Sequence, residues 1–584
     1  MEYSLGEDAT RCGHETDDIA ADAACRDFTG IEISARFITV GEEGGCKYNI
    51  AVVSIFLTLY DFFINIGSIQ VRVDPLVLIN QGLVRGEKSI SGDSSFLGIP
   101  YAQVDTANPF GASLPAPDFD GVFNANRGGI KCPQISDKEV GKDRVISGSL
   151  DCLTLNVFVP SKASVKNPLP VLFYIHGGSY VNGDSANDVV NGQKLVEQGI
   201  VVVTINYRVG PYGFFCLDVP NVPGNQGLKD QYSALKWVRQ NIVHFGGNPY
   251  NVTIAGESAG AASVLYQVYA KKEKLFNRAI VESGLPQTPA LHTVGDPEAA
   301  VKVARYLGLN TNDTEQALEF LSQSSTDLVI AAVNDLALLL TPCKERSFSG
   351  VDNFLEDNPF SAGPSSKIKN MEILIGVTTC EWCDLTERDP SFVDFYLSLA
   401  FDFDSVTLNR ATEAIKHFYF GDEDVSEKTG VLLDTLLSDY LFIYPTEIAV
   451  AKLLKEGASP IYSYVFNYVS ENDKAELNHA KHTAELKYAY ANGYENFNDD
   501  EKLISDRLTQ LWANFIKYGN PTPSKTDLVP LTWQPVSGSS RPYLKIDLDL
   551  TIEHRFRQES VAFWDLFYSN FKPYHKFSRE CHLE

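Results

Sequence analysis

Apolar residues gather along the chain in short runs. LPVLFYIHGG (Leu169–Gly178), IVVVTINYR (Ile200–Arg208) and VTIAGES (Val252–Ser258) are apolar at consecutive rather than alternating positions. That pattern predicts strands buried on both faces of a sheet. RAIVESG (Arg278–Gly284), EILIGVTTCE (Glu372–Glu381), PIYSYVFNYV (Pro460–Val469) and RPYLKIDLDL (Arg541–Leu550) continue the series. Between them GLKDQYSALKWVRQNIVHF (Gly227–Phe245) has helical periodicity with basic residues late in it, and helix-like segments fill much of 295–340 and 391–457. Strands alternating with helices predict an α/β fold, a mostly parallel central sheet with helices on both faces and helical insertions capping the strand ends. No repeat, low-complexity tract or linker interrupts the pattern after residue 75, so residues 74–584 read as a single domain.

One strand ends unusually. TIAGESAGAASVLYQ (Thr253–Gln267) places Gly256 and Gly260 on either side of Ser258, where neither a strand nor a helix favours two glycines. Gly-x-Ser-x-Gly between a strand and a helix fits a sharp turn that lifts a serine oxygen clear of the sheet. A hydroxyl is a weak nucleophile at neutral pH, so it needs a base, and the base needs an orienting group. In α/β sheets with such an elbow the chain order is serine, acid, histidine. That order removes His176 and His244, and His292 leaves almost no room for an acid. His417 sits in a helical stretch, while His554, His575 and His582 lie past the last core strand or in the tail. His479 and His482 remain, in NHAKHTAEL, a loop just after a strand end. The acid is Glu381, which ends its strand, or Asp384 close behind. HGGSY (His176–Tyr180) and Ala259 offer backbone N–H groups to an oxyanion.

These residues carry a resemblance. From about Pro75 to Phe567 the chain resembles the type-B carboxylesterase/lipase family, cholinesterase-like α/β-hydrolases, and is nearest in tone to fungal secreted esterases. The match rests on FLGIPYA, DCLTLNVFVP, HGGSY, NYRVGPYGFF, GNQGLKDQYSALKWVRQNIVHFGGNPYNVTIAGESAGAAS, GVTTCE, HTAEL and LWANFIKYGNPTP, in the family's order. The resemblance implies an α/β-hydrolase fold and a serine ester hydrolase working through an acyl-enzyme. It implies Ser258 as nucleophile, Glu381 as the acid of the block usually written Gly-x-x-x-Asp-Glu, and His482, rather than His479, as base. It implies Gly178, Ser179 and Ala259 as oxyanion donors, an Arg208–Asp230 ion pair behind the sheet, and a Cys132–Cys152 disulfide, hence an oxidising compartment. No metal or cofactor is implied.

Two departures stand out. Ser179 replaces a glycine, which a backbone N–H donor tolerates if its angles are ordinary. Leu150 and Pro109 stand where the family has a charged pair, so both charges are lost together; stranding one would cost about 3–5 kcal/mol.

Composition then narrows the function. The 584 residues are 44% hydrophobic and carry a net charge of −26. Such a surface repels phosphate backbones, which argues against nucleic-acid binding. Ten cysteines are compatible with disulfides. Cys380 and Cys383 form a CxxC, but no second pair sits at ligand spacing for a metal. The pairing of Cys216, Cys343, Cys380, Cys383 and Cys581 is left open. Of two Asn-x-Ser/Thr sites, Asn251 starts the nucleophile strand and Asn312 is the better glycan acceptor.

Residues 1–46 are acidic and poor in apolar periodicity, which reads as a disordered or misassigned N-terminal extension. Residues 47–73 hold an apolar, signal-like run, broken by Asp61. A signal peptide behind a misassigned start, a signal anchor and a buried strand or helix are the three readings, and the first is preferred. The expected product is a secreted or cell-surface protein with no membrane span in its mature form. The loop Pro133–Asp151, with four acids and three bases, offers only Val140, Val145 and Ile146 to a lid's apolar face, so an open gorge is expected. The substrate is a small-molecule or lipid ester. Alternatives are a lipase or sterol esterase on long acyl chains and, from another class, an inactive adhesion protein on the same fold, which would typically lack the serine.

Overall fold

An eleven-stranded sheet organises residues Arg72–Glu584, one of two compact units into which the chain divides; Met1–Val71 is the other. The computed structural model describes residues 72–577, apart from 141–142, 187–191, 359, 361–364, 384–390, 424–425, 427–428 and 472–478, together with the antiparallel pair Cys25–Arg26 and Glu32–Ile33. Most of the acidic extension, and the signal-like segment up to residue 71, lie outside the described residues.

The sheet's strands are β1 (Glu87–Lys88), β2 (Ser94–Pro100), β3 (Thr154–Val159), β4 (Leu169–Ile175), β5 (Val201–Ile205), β6 (Gly247–Glu257), β7 (Arg278–Glu282), β8 (Glu372–Thr378), β9 (Ile461–Phe466), β10 (Pro542–Ile546) and β11 (Thr551–His554). Their spatial order is β11-β10-β9-β8-β7-β6-β4-β5-β3-β2-β1. From β5 across to β10 all pairings are parallel, and the pairs at both flanks are antiparallel. The seven apolar runs of the sequence are the seven parallel strands. The antiparallel strands had no such run: β3 is TLNVFV, and its buried Asn156 interrupts the apolar pattern while donating to the Ser185 carbonyl at 3.1 Å.

Helices cover the sheet. Helix α1 (Gln226–Asn241) runs into a 3₁₀ turn at Ile242–Phe245, as its periodicity predicts. Helix α2 (Ala259–Tyr269) leaves β6 and is buried along its whole length. Helix α3 (Thr326–Asp335) packs against a hairpin, Gln134–Val140 with Asp143–Ser147, inside the loop closed by the Cys132–Cys152 disulfide. Helices within 391–455 and at Gln558–Phe571 share an aromatic cluster that includes Phe401, Tyr440 and Trp564. Two further disulfides join Cys216 to Cys343 and Cys380 to Cys383. Among the described residues no helix is long and apolar enough to cross a membrane.

Parallel register brings several strand ends to one edge. Ile175 of β4 pairs with Gly256 of β6, and Glu257 of β6 pairs with Glu282 of β7. The loops leaving β4, β6, β8 and β9 therefore open on the same side, where chemistry collects in open α/β sheets.

Candidate active site

Ser258 sits between β6 and α2 at φ 56° and ψ −125°, a sparsely populated backbone conformation that side chains rarely adopt. The flanking glycines are required by space. A Cβ on Gly256 would lie 2.5 Å from the carbonyl carbon of Gly260, and one on Gly260 would run into the Ile175 carbonyl. The turn is held from both sides: Ser258 N donates to Glu282 O at 2.8 Å, and Ala262 N donates to Ser258 O at 3.0 Å.

The loops after β8 and β9 carry Glu381 and His482. His482 Nδ1 and Glu381 Oε2 are 2.6 Å apart. The other Glu381 oxygen accepts from Thr378 N and from Ser283 Oγ, each at 2.7 Å. The two loops are tied together by Cys380 N donating to Ala480 O at 2.9 Å and Ala480 N donating to Thr379 Oγ1 at 3.1 Å. His482 Nε2 lies 3.0 Å from Glu257 Oε1, out of line for a hydrogen bond. Glu257 immediately precedes Ser258 in the chain. Among the described residues the Ser258 hydroxyl makes no hydrogen bond. His479 is exposed, and Asp384 lies outside the described residues.

The surroundings of His482 are acidic. Glu257, Glu282, Glu381 and Glu485 are all buried around the histidine. Burial pushes Glu257 up to about 8 and Glu485 up to about 7, and lifts Glu282 well above the carboxylate range. Burial also opposes a charged His482 ring, but the Glu257, Glu381 and Glu485 carboxyl groups outweigh it and raise the ring to about 9. Glu282 accepts from Trp512 Nε1 at 2.9 Å and Tyr490 OH at 3.0 Å, and Glu485 accepts from Tyr464 OH at 3.0 Å. A serine in a strained elbow, and an imidazole that meets a carboxylate at Nδ1 and the residue before that serine at Nε2, are the groups that nucleophilic acyl transfer needs.

The glycine-rich turn after β4 corrects one expectation. Ser179 does not have ordinary angles: it lies at φ 53°, and Tyr180 follows at φ 63°. The turn forces this, because Val181 N and Asn182 N both return to Gly178 O, at 2.9 and 3.1 Å. The left-handed conformation costs a non-glycine residue roughly 1–2 kcal/mol. Among the described residues no backbone carbonyl accepts from the N–H groups of Gly178, Ser179 or Ala259. His176, in the same turn, is lowered by burial to about 4; its Nδ1 donates to Gly177 O at 2.8 Å and its ring stacks on Tyr207.

Two hollows meet at Asn182. A cavity of about 230 Å³ is lined by His176, Gly177, Gly178, Asp184, Glu257 and Thr483, and a groove of about 460 Å³ by Ile135, Val181, Pro211, Ile330, Val333 and Leu338. Ile135, not among the three apolar residues expected of this loop, gives the hairpin an apolar side, but it walls the groove beside α3.

The other sequence candidates have definite places. Arg208 and Asp230 form a fully buried two-pronged pair at 2.7 and 2.8 Å, and Arg208 Nη1 also donates to the carbonyls of Pro109 and Gly111. Leu150 packs against the core, so no buried charge is stranded there. Asn312 is exposed just before the helix Thr314–Gln323. Asn251 is half-buried, with its Oδ1 accepting from Arg278 at 2.5 Å. Among the described residues no His, Cys, Asp and Glu cluster could hold a metal ion. Sequence reasoning missed Glu257, Ser283 and Glu485. The signal for the first was its place at the end of a buried strand, beside the serine.

Comparison with known proteins places the chain among esterases. Residues 73–564 match the carboxylesterase family. The chain is 30% identical to esterase FE4 of Myzus persicae over 562 residues, covering 87% of this chain and 95% of that one. It is 30% identical to human carboxylesterase 5A over 505 residues, covering 80% of this chain and 84% of that one. Among solved structures, a PNB esterase superposes with a TM-score of 0.70 at 27% identity, covering 84% of this chain and 99% of that one.

Proposed function

Because the chain belongs to the carboxylesterase family and is a carboxylic-ester hydrolase of the α/β-hydrolase fold, we propose that it works through an acyl-enzyme on Ser258. Substrate binding swings His482 Nε2 from Glu257 to the Ser258 hydroxyl; such contacts commonly tighten only in the Michaelis complex. His482 takes the hydroxyl proton as Ser258 Oγ attacks the ester carbonyl. Glu381 keeps Nδ1 protonated and stabilises the imidazolium. The N–H groups of Gly178, Ser179 and Ala259 hold the oxyanion, each contributing about 3–4 kcal/mol. His482 then protonates the departing alcohol, water enters, and the same groups hydrolyse the acyl-enzyme.

The alcohol must leave beside His482 Nε2. The cavity containing Glu257 and Thr483 is therefore its side, and the apolar groove along the hairpin and α3 takes the acyl chain. Secretion into an oxidising compartment, with Asn312 as glycan acceptor, belongs to the same reading and is supported by three disulfides among the described residues. Dissolved short and medium esters fit the open, polar hairpin better than long-chain lipids.

The observation that carries the proposal is the 2.6 Å contact of His482 Nδ1 with Glu381, with Nε2 3.0 Å from Glu257, the residue before Ser258. The test is Ser258→Ala. Turnover of an aryl ester falls at least about ten-thousand-fold, while the circular dichroism spectrum and Tm stay near wild type, because the glycines shape the turn. Retention of more than trace activity would sink the assignment.

A further inference from the structure

The CxxC has no role in the chemistry described so far, yet its two cysteines enclose Glu381. We propose that the Cys380–Cys383 disulfide is a clamp that positions the catalytic acid, so that a dithiol able to reach it lowers turnover reversibly. The proposal rests on Glu381 being the acid of the triad.

Loop size gives the first argument. The three disulfides have sequence separations of 20, 127 and 3, and the shortest is this one. A crosslink restrains the unfolded chain less as its loop shortens. Of the three, this bridge therefore adds least to global stability, and its effect is local.

The contacts say what that local effect is. Cys380 N donates to Ala480 O, which joins the acid loop to the histidine loop two residues before His482. Trp382 N donates to Ser438 Oγ at 2.9 Å, which joins the same loop to the helix Gly430–Ser438. The Trp382 ring packs on Tyr396 and Phe442, with centroids at 5.8 and 6.2 Å, and Phe442 lies 4.9 Å from the His482 ring. Glu381 thus sits between two anchored neighbours in a turn closed by a sulfur–sulfur bond. Its carboxylate needs that precision, because one oxygen serves Thr378 N and Ser283 Oγ while the other serves His482.

Access is asymmetric. Cys380 is buried and Cys383 is partly exposed. A dithiol's thiolate attacks Sγ of Cys383, the S–S bond breaks, and Cys380 leaves as a thiolate that takes up a proton. The reagent's second thiol attacks the mixed disulfide, Cys383 leaves and is protonated, and the reagent departs as a cyclic disulfide. Two electrons and two protons pass from the reagent to the protein. Re-oxidation reverses the change.

The experiment treats the folded full chain with dithiothreitol and maps the freed thiols by alkylation and mass spectrometry. Loss of kcat is expected to track the Cys380 and Cys383 thiols, by about tenfold, with KM within twofold and recovery on re-oxidation. The double variant Cys380→Ser/Cys383→Ser should show the same kcat loss. Its acid limb in the pH–rate profile should move to lower pH, since a slacker Glu381 supports the imidazolium less. The double variant Cys216→Ser/Cys343→Ser should lower Tm without moving that limb. If the clamp variant fails to fold, the reduction and re-oxidation arm decides alone. Wild-type kcat and pH profile after mapped reduction of Cys380–Cys383 would overturn the proposal. Activity in Ser258→Ala would instead overturn the triad reading beneath it.

Discussion

His482 meets a carboxyl group on each ring nitrogen, and the two make different demands. Glu381 lies 2.6 Å from Nδ1, whereas Glu257, 3.0 Å from Nε2 but out of line for a hydrogen bond, raises the ring's proton affinity. Only neutral His482 can act as base, so its upward shift places the acid limb of the pH–rate profile above the ordinary histidine value of 6.5. Glu257→Gln removes one source of that shift. The limb should then move to lower pH by on the order of one unit; a limb that stays in place would show that Glu257 does not face the base in solution. The neighbours of the triad should be silent. His482→Ala should remove activity and His479→Ala should leave it. Glu381→Gln should cost at least about a hundredfold and up to ten-thousand-fold, and Asp384→Asn far less. Steady-state kinetics on the four variants checks this, and equal losses within either pair would contradict it. The sharp turn at Ser258 was legible because glycine spacing reports a close backbone approach. The choice between His479 and His482, and between Glu381 and Asp384, was not fixed by spacing and needed the family blocks. Glu257 was illegible as a partner of His482, because the loop after β9 meets the end of β6 only through parallel register. The left-handed Ser179 was illegible too, since a turn's return bonds to Gly178 leave no mark in the chain.

At the level of elements, the strands that position the site were the plainest feature of the sequence. A strand apolar on both faces has few alternatives, and all seven such runs became parallel strands. The flanking antiparallel strands stayed hidden because polar residues with buried partners, such as Asn156, interrupt their pattern. The Cys216–Cys343 bridge joins segments 127 positions apart, a distance over which local pattern says nothing. The hairpin within the Cys132–Cys152 loop decides how substrate enters. Ile135 and Ile146 pack against the core, and Val145 is exposed. A lid must exchange an apolar face between pocket and water. This hairpin's apolar side is already committed to the groove wall. Rates on tributyrin should therefore rise smoothly across its solubility limit. A sharp rise only beyond the limit would mean the hairpin opens at an interface.

For the whole molecule, burial of acidic groups and excess negative charge act in the same direction. Folding raises Glu257 from 4.5 to about 8, Glu485 from 4.5 to about 7, and His482 from 6.5 to about 9. A raised folded value contributes stability that is complete below the unfolded value and lost as pH climbs through the folded one. Tm should therefore fall by several degrees between pH 6 and pH 9, in calorimetry at fixed ionic strength. The net charge of −26 adds self-repulsion, so salt at about 0.15 M should raise Tm relative to about 0.01 M. A Tm flat in both pH and salt would contradict this balance. The account depends most of all on one hydroxyl carrying the reaction. Treating the intact chain with an organophosphate and measuring its mass tests that most directly. The account predicts a single adduct, mapped to the peptide containing Ser258, formed in step with complete loss of esterase activity. An adduct on another residue, or full labelling with activity retained, would contradict it.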